Sequence, residues 1–225
     1  VSGTNSTDLN KNSADSGMIT RTITIKNKAG NSLIGVINSL SGTGATKELQ
    51  STGELSSGYS KVLGNDVSSP QSDLVELQIQ YESRYTYGPV FTASFPNNKN
   101  LTTFCYEVSG TSFVPSVKTC DGSPTYESKY ILYKNEAGFN ANMSLSYYPK
   151  GGSTIKTATT ITTTAGFQRK VYLPLDADTT RQMTLKVTLL GAGQNQILLT
   201  KDVTAAAFSS SGSTCYKNWG TVFSP

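Results

Sequence analysis

Apolar and polar residues alternate one by one along several short stretches of the chain. The apolar positions are Ile23 and Ile25 in the first such stretch, and Ala141, Met143, Leu145 and Tyr147 in a later one. Successive side chains of a β-strand point to opposite faces, so this period predicts half-buried strands. No stretch keeps a helical period beyond a turn or two, and 200–208 comes nearest. The pattern predicts an all-β protein.

Turn-forming residues divide these stretches into two series of predicted strands. The first series covers 21–25, 33–40, 59–63, 74–81, 90–95 and 101–108, and the second covers 130–134, 141–147, 157–164, 167–175, 183–190 and 196–203, followed by Cys215. Residues 1–19 are mostly Ser, Asn, Asp and Thr with almost nothing to bury, which predicts a flexible N-terminal segment.

The two series are copies of each other. The stretch that begins at Cys105 (Cys-Tyr, then Gly-Thr, Phe and Pro) recurs with identical spacing from Cys215, 110 positions later. Three further blocks recur at an offset of 108, namely 26–30 with 134–138, 58–59 with 166–167, and 77–81 with 185–189. The two-residue change in offset therefore falls between Tyr81 and Cys105, where a loop absorbs it without flipping a strand. Chance similarity would not keep four blocks in order.

This duplication predicts two tandem β-sandwich domains. Residues 20–118 form the first repeat, 119–128 a linker and 129–225 the second repeat. Each repeat has the length of a β-sandwich and can bury a core of its own, although only marginally. Two fragments separated near Asp121 are each expected to fold alone.

Composition narrows the class of protein. The net charge is +4, with no basic run and no interleaving of aromatic and basic residues, so no nucleic-acid partner is expected. No apolar run approaches the ~20 residues of a membrane-spanning helix. The abundance of Ser, Thr, Asn and Gly and the start at Val1 suggest the mature or trimmed part of a secreted, extracellular protein.

Three cysteines leave two disulfide pairings open. Cys105 and Cys215 occupy equivalent places in the repeats, whereas Cys120 lies in the linker. A Cys105–Cys120 bridge would close a short loop and leave Cys215 free, and Cys120–Cys215 is the rival pairing. Three reduced thiols are the third alternative.

The sequence offers little that could carry catalysis. It contains no His, which removes the commonest general base and metal ligand, and its cysteines are not spaced as a zinc site. Asp176-Ala-Asp178 is interpreted as a solvated turn rather than a calcium site, and 191–193 as a hairpin-like turn rather than a phosphate cradle. No acid pair lies on an apolar background that would shift a pKa. We expect a non-enzymatic protein without a metal or cofactor.

One polar and aromatic cluster occurs only in the first repeat. Tyr81, Tyr85, Tyr87 and Phe91 surround a turn that also carries Arg84, and the corresponding stretch 190–200 holds no aromatic residue. Aromatic side chains on a loop suit a wet interface, a membrane surface or the face of a sugar. In the alternative interpretation Tyr81 and Phe91 belong to the core, and only Tyr85 and Tyr87 are exposed.

The second repeat resembles the C-terminal membrane-binding domain (domain four) of the cholesterol-dependent cytolysins. The opening strands of that family read like 138–147, and its central segment with Ile-Pro-Leu and small residues is similar to 167–177. Its closing Trp-Gly-Thr-Thr-Leu-x-Pro is similar to 219–225, the most specific part of a match over about 90 residues. The resemblance implies a β-sandwich and a bacterial, virulence-associated protein that binds membranes.

The sequence departs from this family at its binding motifs. The cholesterol-recognising Thr-Leu pair falls on Val222 and Phe223, and on Ser112 and Phe113 in the first repeat. The Trp-rich undecapeptide is absent, and 84–91 and 191–196 take its place. The two repeats occupy the 225 residues, so this stretch by itself is not expected to form a pore.

The resemblance places the two loops at one tip of the sandwich. The hypothetical site of the first repeat therefore combines Arg84, Tyr85 and Tyr87 with Ser112 and Phe113. The second repeat offers Val222 and Phe223 and is expected to bind less or to act as a spacer. We predict a secreted protein that attaches to a membrane or to a cell-surface lipid or glycan. The alternative is a secreted effector or interaction module that keeps only the scaffold and binds a host protein.

Overall fold

The computed structural model describes residues 17–41, 45–70, 72–82, 88–190 and 196–219. The strands of the first repeat are β1 (Met18–Asn27), β2 (Leu33–Leu40), β3 (Thr46–Ser51), β4 (Ser60–Pro70), β5 (Leu74–Tyr81), β6 (Phe91–Phe95), β7 (Thr103–Gly110) and β8 (Pro115–Thr119). Those of the second repeat are β9 (Tyr130–Asn135), β10 (Asn140–Tyr147), β11 (Lys156–Thr163), β12 (Gln168–Tyr172), β13 (Met183–Leu190), β14 (Ile197–Val203) and β15 (Cys215–Asn218). A short 3-10 turn, Ala205–Ala207, is the helical element of these ranges. The fold is all-β, as predicted.

Four sheets hold these strands, two in each repeat. The orders are β4-β1-β7-β8 and β3-β2-β5-β6 in the first repeat, and β12-β9-β15 and β11-β10-β13-β14 in the second. The first and last strands of each copy pair in parallel, β1 with β7 and β9 with β15, whereas the other pairs of named strands are antiparallel. Both repeats therefore share one topology, except that β8 adds a fourth strand to its sheet.

Buried hydrophobic residues form two separate clusters, one in each repeat. The first runs from Ile23 to Val108 and the second from Ile131 to Phe208. Residues predicted to point inward do so, since Ile23, Ile25, Ala141, Met143 and Leu145 are fully buried. Each cluster fills the space between two sheets, because alternate residues of both sheets face it. The two-sandwich prediction is thereby confirmed.

One buried asparagine in each repeat anchors the turn after the first strand. The Asn27 side chain donates to two backbone carbonyls and accepts from a backbone N–H, and Asn135 does the same 108 positions later. The partners are Asn31, Leu55 and Ala29 in the first repeat, and Phe139, Thr163 and Ala137 in the second. Each pair of partners again differs by 108, so the duplication extends to individual hydrogen bonds.

The change in offset between the repeats lies in a single loop. Register pairs keep the offset of 108 as far as Phe95 in β6 and Val203 in β14, which pair with Val75 and Met183. The two extra residues of the second repeat therefore lie between Val203 and Cys215, in the loop that contains the 3-10 turn. The predicted helical candidate 200–208 divides between the end of β14 and this turn.

The linker 119–128 packs against the first repeat. Residue Glu127 bridges to Ala93 at the edge of β6, and Ser128 N donates to Thr92 O at 2.8 Å. The ring of Tyr126 packs on the first core and lies 5.9 Å from Phe104, edge to face. A fragment that ends near Asp121 would lose these contacts, so Ser128 is the better end for a fragment of the first repeat. The predicted domain boundaries themselves stay a prediction.

The disulfide joins Cys105 to Cys120, with their Cα atoms 5.4 Å apart, and Cys215 is free and exposed. This is the first of the two pairings that the sequence left open. The disulfide links the start of the linker to β7, where Cys120 N also donates to Cys105 O at 3.0 Å. In the described part of the chain, no helix is long and apolar enough to cross a membrane.

Candidate functional site

Most of the predicted site lies outside the described residues. This applies to Arg84, Tyr85 and Tyr87 in the first repeat and to Val222 and Phe223 in the second, so their role stays a prediction. The two aromatic residues that flank the first loop, Tyr81 and Phe91, are 3% and 2% exposed. They belong to the core, as the alternative interpretation of the cluster expected.

Ser112 and Phe113 lie in the turn between β7 and β8. The turn begins at Gly110, whose φ of +84° favours glycine and where a Cβ would collide with the carbonyl oxygen of Val114. The side chain of Thr111 accepts from Val114 N at 3.2 Å and closes the turn. This geometry fixes the backbone at 111–114 and leaves the Phe113 side chain 50% exposed.

Arg169 of β12, in the second repeat, binds the backbone of this turn. The Arg169 guanidinium donates to Phe113 O and to Ser112 O, both at 2.6 Å, although the residue is only 7% exposed. Burial lowers its pKa. The Phe113 ring lies 5.8 Å from the ring of Phe167, which extends the contact to a second residue. The two residues predicted at a free tip are thus engaged at the contact between the repeats.

Glu127 of the linker forms a second contact between the repeats. Its Oε1 accepts from Lys170 Nζ and from the Tyr172 hydroxyl, each at 2.6 Å. The Tyr172 ring lies 5.7 Å from Tyr130, and burial raises the pKa of Tyr172. Because the Glu127 carboxylate is largely buried and accepts both bonds, it holds β12 in a fixed orientation relative to the linker.

A buried carboxyl group occupies the cleft between β5 and the second repeat. Glu76 is 2% exposed and accepts from Gln78 Nε2 at 2.7 Å. The cleft has a volume of about 260 Å³ and is also lined by Asp176 and Tyr147. Burial, with a smaller contribution from the charge of Asp176, raises the pKa of Glu76 to about 7. The prediction concerned acid pairs on an apolar background and did not anticipate this single carboxyl group, which is buried because the other repeat covers the outer face of β5.

Asp176 also departs from the prediction of a solvated turn. It is 8% exposed, accepts from the Tyr147 hydroxyl at 2.7 Å and pairs with Lys156 at 2.8 Å. Asp178 does lie at the surface, where it accepts from Thr180 N at 3.0 Å. Among the described residues, no group of three or more His, Cys, Asp or Glu side chains could hold a metal ion.

An apolar groove lies in the second repeat, between the end of β15 and the start of β14. Trp219 is 70% exposed and Ile197 53% exposed, and both line a groove of about 310 Å³ whose floor includes Tyr133 and Val187. The Tyr133 hydroxyl donates to the side chain of Asn218 at 2.6 Å. That bond fixes the end of β15, from which Trp219 projects.

The described positions of the first repeat that correspond to the floor of this groove carry different residues. At the positions of Tyr133 and Asn218 the first repeat has Ile25 and Val108, both fully buried. Only Val222 and Phe223 were predicted at this end of the second repeat, whereas the exposed Trp219 and Ile197 were not singled out. A signal was available, because Trp219 is the single Trp of the chain and directly follows an alternating strand.

Comparison with protein families and with characterised proteins gives no match. Among solved structures, the chain is similar to a mutant of the shaft pilin SpaA from Lactobacillus rhamnosus GG. The identity is 8%, the alignment covers 90% of this chain and 98% of the pilin chain, and the TM-score is 0.26. A likeness at this level carries no argument about function, and the resemblance to cytolysin domain four stays a prediction beyond its all-β character.

Proposed function

We propose that this is an extracellular, non-enzymatic protein that attaches through its loop tips to a membrane surface or to a cell-surface lipid or glycan. The observation that carries the proposal is the exposed pair Trp219 and Ile197 beside an apolar groove. The Cys105–Cys120 disulfide supports the extracellular location, because cytosolic thiols are kept reduced.

The chemistry of the groove suits a ligand with an apolar face. A Trp ring combines a large apolar surface with one N–H donor, which is why it is common at interfaces that are partly wet. Burying one such ring contributes roughly 2–3 kcal/mol from the area removed from water. Lys217, with a side chain 48% exposed and 3.5 Å from Glu136, adds a positive charge near the rim. Two apolar side chains and one cation give weak attachment that several copies on a surface would strengthen.

The non-enzymatic part of the proposal rests on the chemistry of the side chains. The sequence has no His, and the Asp176 carboxylate is held by Tyr147 and Lys156 rather than offered to a substrate. Glu76 is almost fully buried and faces the other repeat. Both carboxyl groups line the cleft between the repeats, where each is bonded to side chains of its own repeat.

The test combines two exposed tip residues with a matched control at the other end of the sandwich. The double variant Trp219→Ala, Ile197→Ser removes the apolar walls, whereas Ile155→Ser removes a side chain that is 56% exposed before β11. Binding is measured by co-sedimentation with vesicles of phosphatidylcholine alone, with phosphatidylserine and with cholesterol, and on a glycan array.

We expect the double variant to lose at least tenfold in affinity and Ile155→Ser to bind as the original protein does. The midpoint of thermal unfolding stays the same, because all three side chains are exposed. A second variant with Tyr85 and Tyr87 replaced by Ala tests the predicted loop of the first repeat and leaves the contact of Phe113 with Phe167 in place. The proposal is wrong if the original protein binds none of these surfaces, or if neither tip variant weakens binding.

A further inference from the structure

The cleft between the repeats brings together three polar side chains from the outer face of the first repeat. Glu76 and Gln78 lie two residues apart on β5, and Thr92 of β6 is the register partner of Gln78. Side chains at such positions share one face of a sheet and lie within about 5–8 Å of one another. All three line the cleft of about 260 Å³, and residues of the second repeat line its other side.

Two of these side chains offer acceptors that a ligand could use. Thr92 is 1% exposed, and within the described part of the chain its Oγ1 has no hydrogen-bond partner. Gln78 donates through Nε2 to Glu76 at 2.7 Å, so its own Oε1 oxygen is an acceptor beside the same carboxyl group. A buried hydroxyl without a partner costs free energy, and a bound donor would recover that cost.

The ionised side chains of the cleft carry one negative charge in excess. Its titratable residues are Glu76, Asp176, Lys156, Tyr147 and Tyr172. Lys156 pairs with Asp176 at 2.8 Å, whereas Glu76 is held by the neutral Gln78. Burial, with the charge of Asp176 added, raises the pKa of Glu76 to about 7. A cation bound beside Glu76 would favour the ionised carboxylate and balance the charge of the cleft.

A primary ammonium group fits this arrangement better than a metal ion does. It carries three N–H donors, and Glu76, Gln78 and Thr92 supply one acceptor side chain each. Calcium takes about six to eight oxygen ligands, and the described residues contain no group of three or more His, Cys, Asp or Glu side chains that could hold a metal. Because Glu76 is 2% exposed, the ammonium has to enter the cleft, which suits a free small molecule better than an amine fixed to a surface.

We propose that this cleft binds a small organic molecule through its primary ammonium group, which Glu76, Gln78 and Thr92 hold. The ammonium forms an ion pair with the Glu76 carboxylate and donates to Thr92 Oγ1 and Gln78 Oε1. Lys156 and Asp176 stay paired with each other. The first repeat supplies the three acceptors and the second repeat closes the cleft, so the bound molecule also stabilises the contact between the repeats.

The test titrates ethanolamine into the full chain at pH 6, 7 and 8 and follows the side-chain amide signals of Gln78 by NMR. N-acetylethanolamine has the same chain without the positive charge and is the matched control ligand. Glu76→Gln and Thr92→Val remove the charge and the hydroxyl with little change of shape, and Asp121→Asn removes an exposed charge of the linker. Competition with calcium chloride and with phosphatidylethanolamine vesicles tests a metal ion and a membrane-held amine.

We expect ethanolamine to shift the Gln78 signals and N-acetylethanolamine to leave them in place. Only the ionised form of Glu76 binds the ammonium, so a pKa of about 7 makes the apparent affinity rise about tenfold from pH 6 to pH 8. Glu76→Gln should bind at least tenfold more weakly at pH 8 and lose this dependence on pH. Thr92→Val should bind several-fold more weakly and keep it, and Asp121→Asn should bind as the original protein does.

Three results would overturn the proposal. The first is that ethanolamine leaves the Gln78 signals in place, and the second is that the neutral ligand or Glu76→Gln binds equally well. The third is displacement of ethanolamine by calcium or by the vesicles, because the occupant would then be a metal ion or a membrane lipid. None of these results depends on Trp219, so the proposed attachment to surfaces is tested separately.

Discussion

Replacing Glu76 by Gln should stabilise the protein at alkaline pH and leave its stability at acidic pH unchanged. Burial at the contact between the repeats, with the charge of Asp176 added, raises the pKa of Glu76 from 4.5 to about 7. A group with a raised folded pKa binds more protons in the folded state than in the unfolded state. The free energy of unfolding therefore falls as the pH rises from the lower to the higher of these values.

The magnitude follows from the two pKa values. One pKa unit corresponds to about 1.4 kcal/mol, so the shift of Glu76 from 4.5 to about 7 costs about 3 kcal/mol above pH 7. A Gln at this position is uncharged and can still accept the bond from Gln78. The groups that face the same cleft are Asp176, Lys156, Tyr147 and Tyr172, and the substitution leaves them in place.

Urea denaturation of the original protein and of Glu76→Gln at pH 5, 6, 7, 8 and 9 measures the effect. The difference should be smallest at pH 5 and should grow with pH, until the variant is more stable by about 3 kcal/mol at pH 8. Glu48→Gln on the exposed β3 is the matched control and should run parallel to the original protein. If Glu76→Gln also runs parallel at every pH, the carboxyl group is not held neutral and the reasoning fails.

Three further substitutions test the contact between the repeats and the duplication. Arg169→Leu leaves the carbonyls of Ser112 and Phe113 without their donors, at a cost of about 1–3 kcal/mol for each unpaired group, so calorimetry should resolve two unfolding transitions. A single, unshifted transition would show that the repeats do not depend on this contact. Asn27→Ala removes three hydrogen bonds and Asn135→Ala removes four, because Asn218 also donates to Asn135, so each should lower the free energy of unfolding of its repeat by about 2–4 kcal/mol, with the larger loss for Asn135→Ala. Unfolding in urea measures both losses, and a variant as stable as the original protein would contradict the anchoring role of its asparagine.

The strands could be predicted from the sequence because burial follows alternation within each one. In β5 the residues Val75, Leu77 and Ile79 face the core, as the period requires. The repeat offset then assigned the same topology to both halves. The strands follow from the local alternation of residues, and the shared topology follows from comparing the two halves of the chain, so both can be predicted from the sequence alone.

The contact between the repeats could not be predicted in the same way. Glu76 occupies an outward position of β5, which the period assigns to solvent, yet the second repeat covers it. Phe113 belongs to a turn that resembled a free tip, and only the approach of Arg169 from 56 residues away engages it. Such contacts depend on how the two folded sandwiches pack against each other. The local pattern of residues in a strand does not determine that packing.

The parallel pairing of its first and last strands determines how the second repeat carries tension. In the second repeat, chain enters the pair at Tyr130 and leaves it at Asn218, and the two strands run side by side over Leu132–Asn135 and Cys215–Asn218. A pull on these two points drives the strands past each other along their length. All the hydrogen bonds between them then share the load at once, instead of opening one after another as when adjacent ends of a hairpin are separated. The first repeat also pairs β1 with β7 in parallel, but β8 runs back along β7 and the disulfide brings the exit of the chain to Cys105, so this shear geometry belongs to the second repeat.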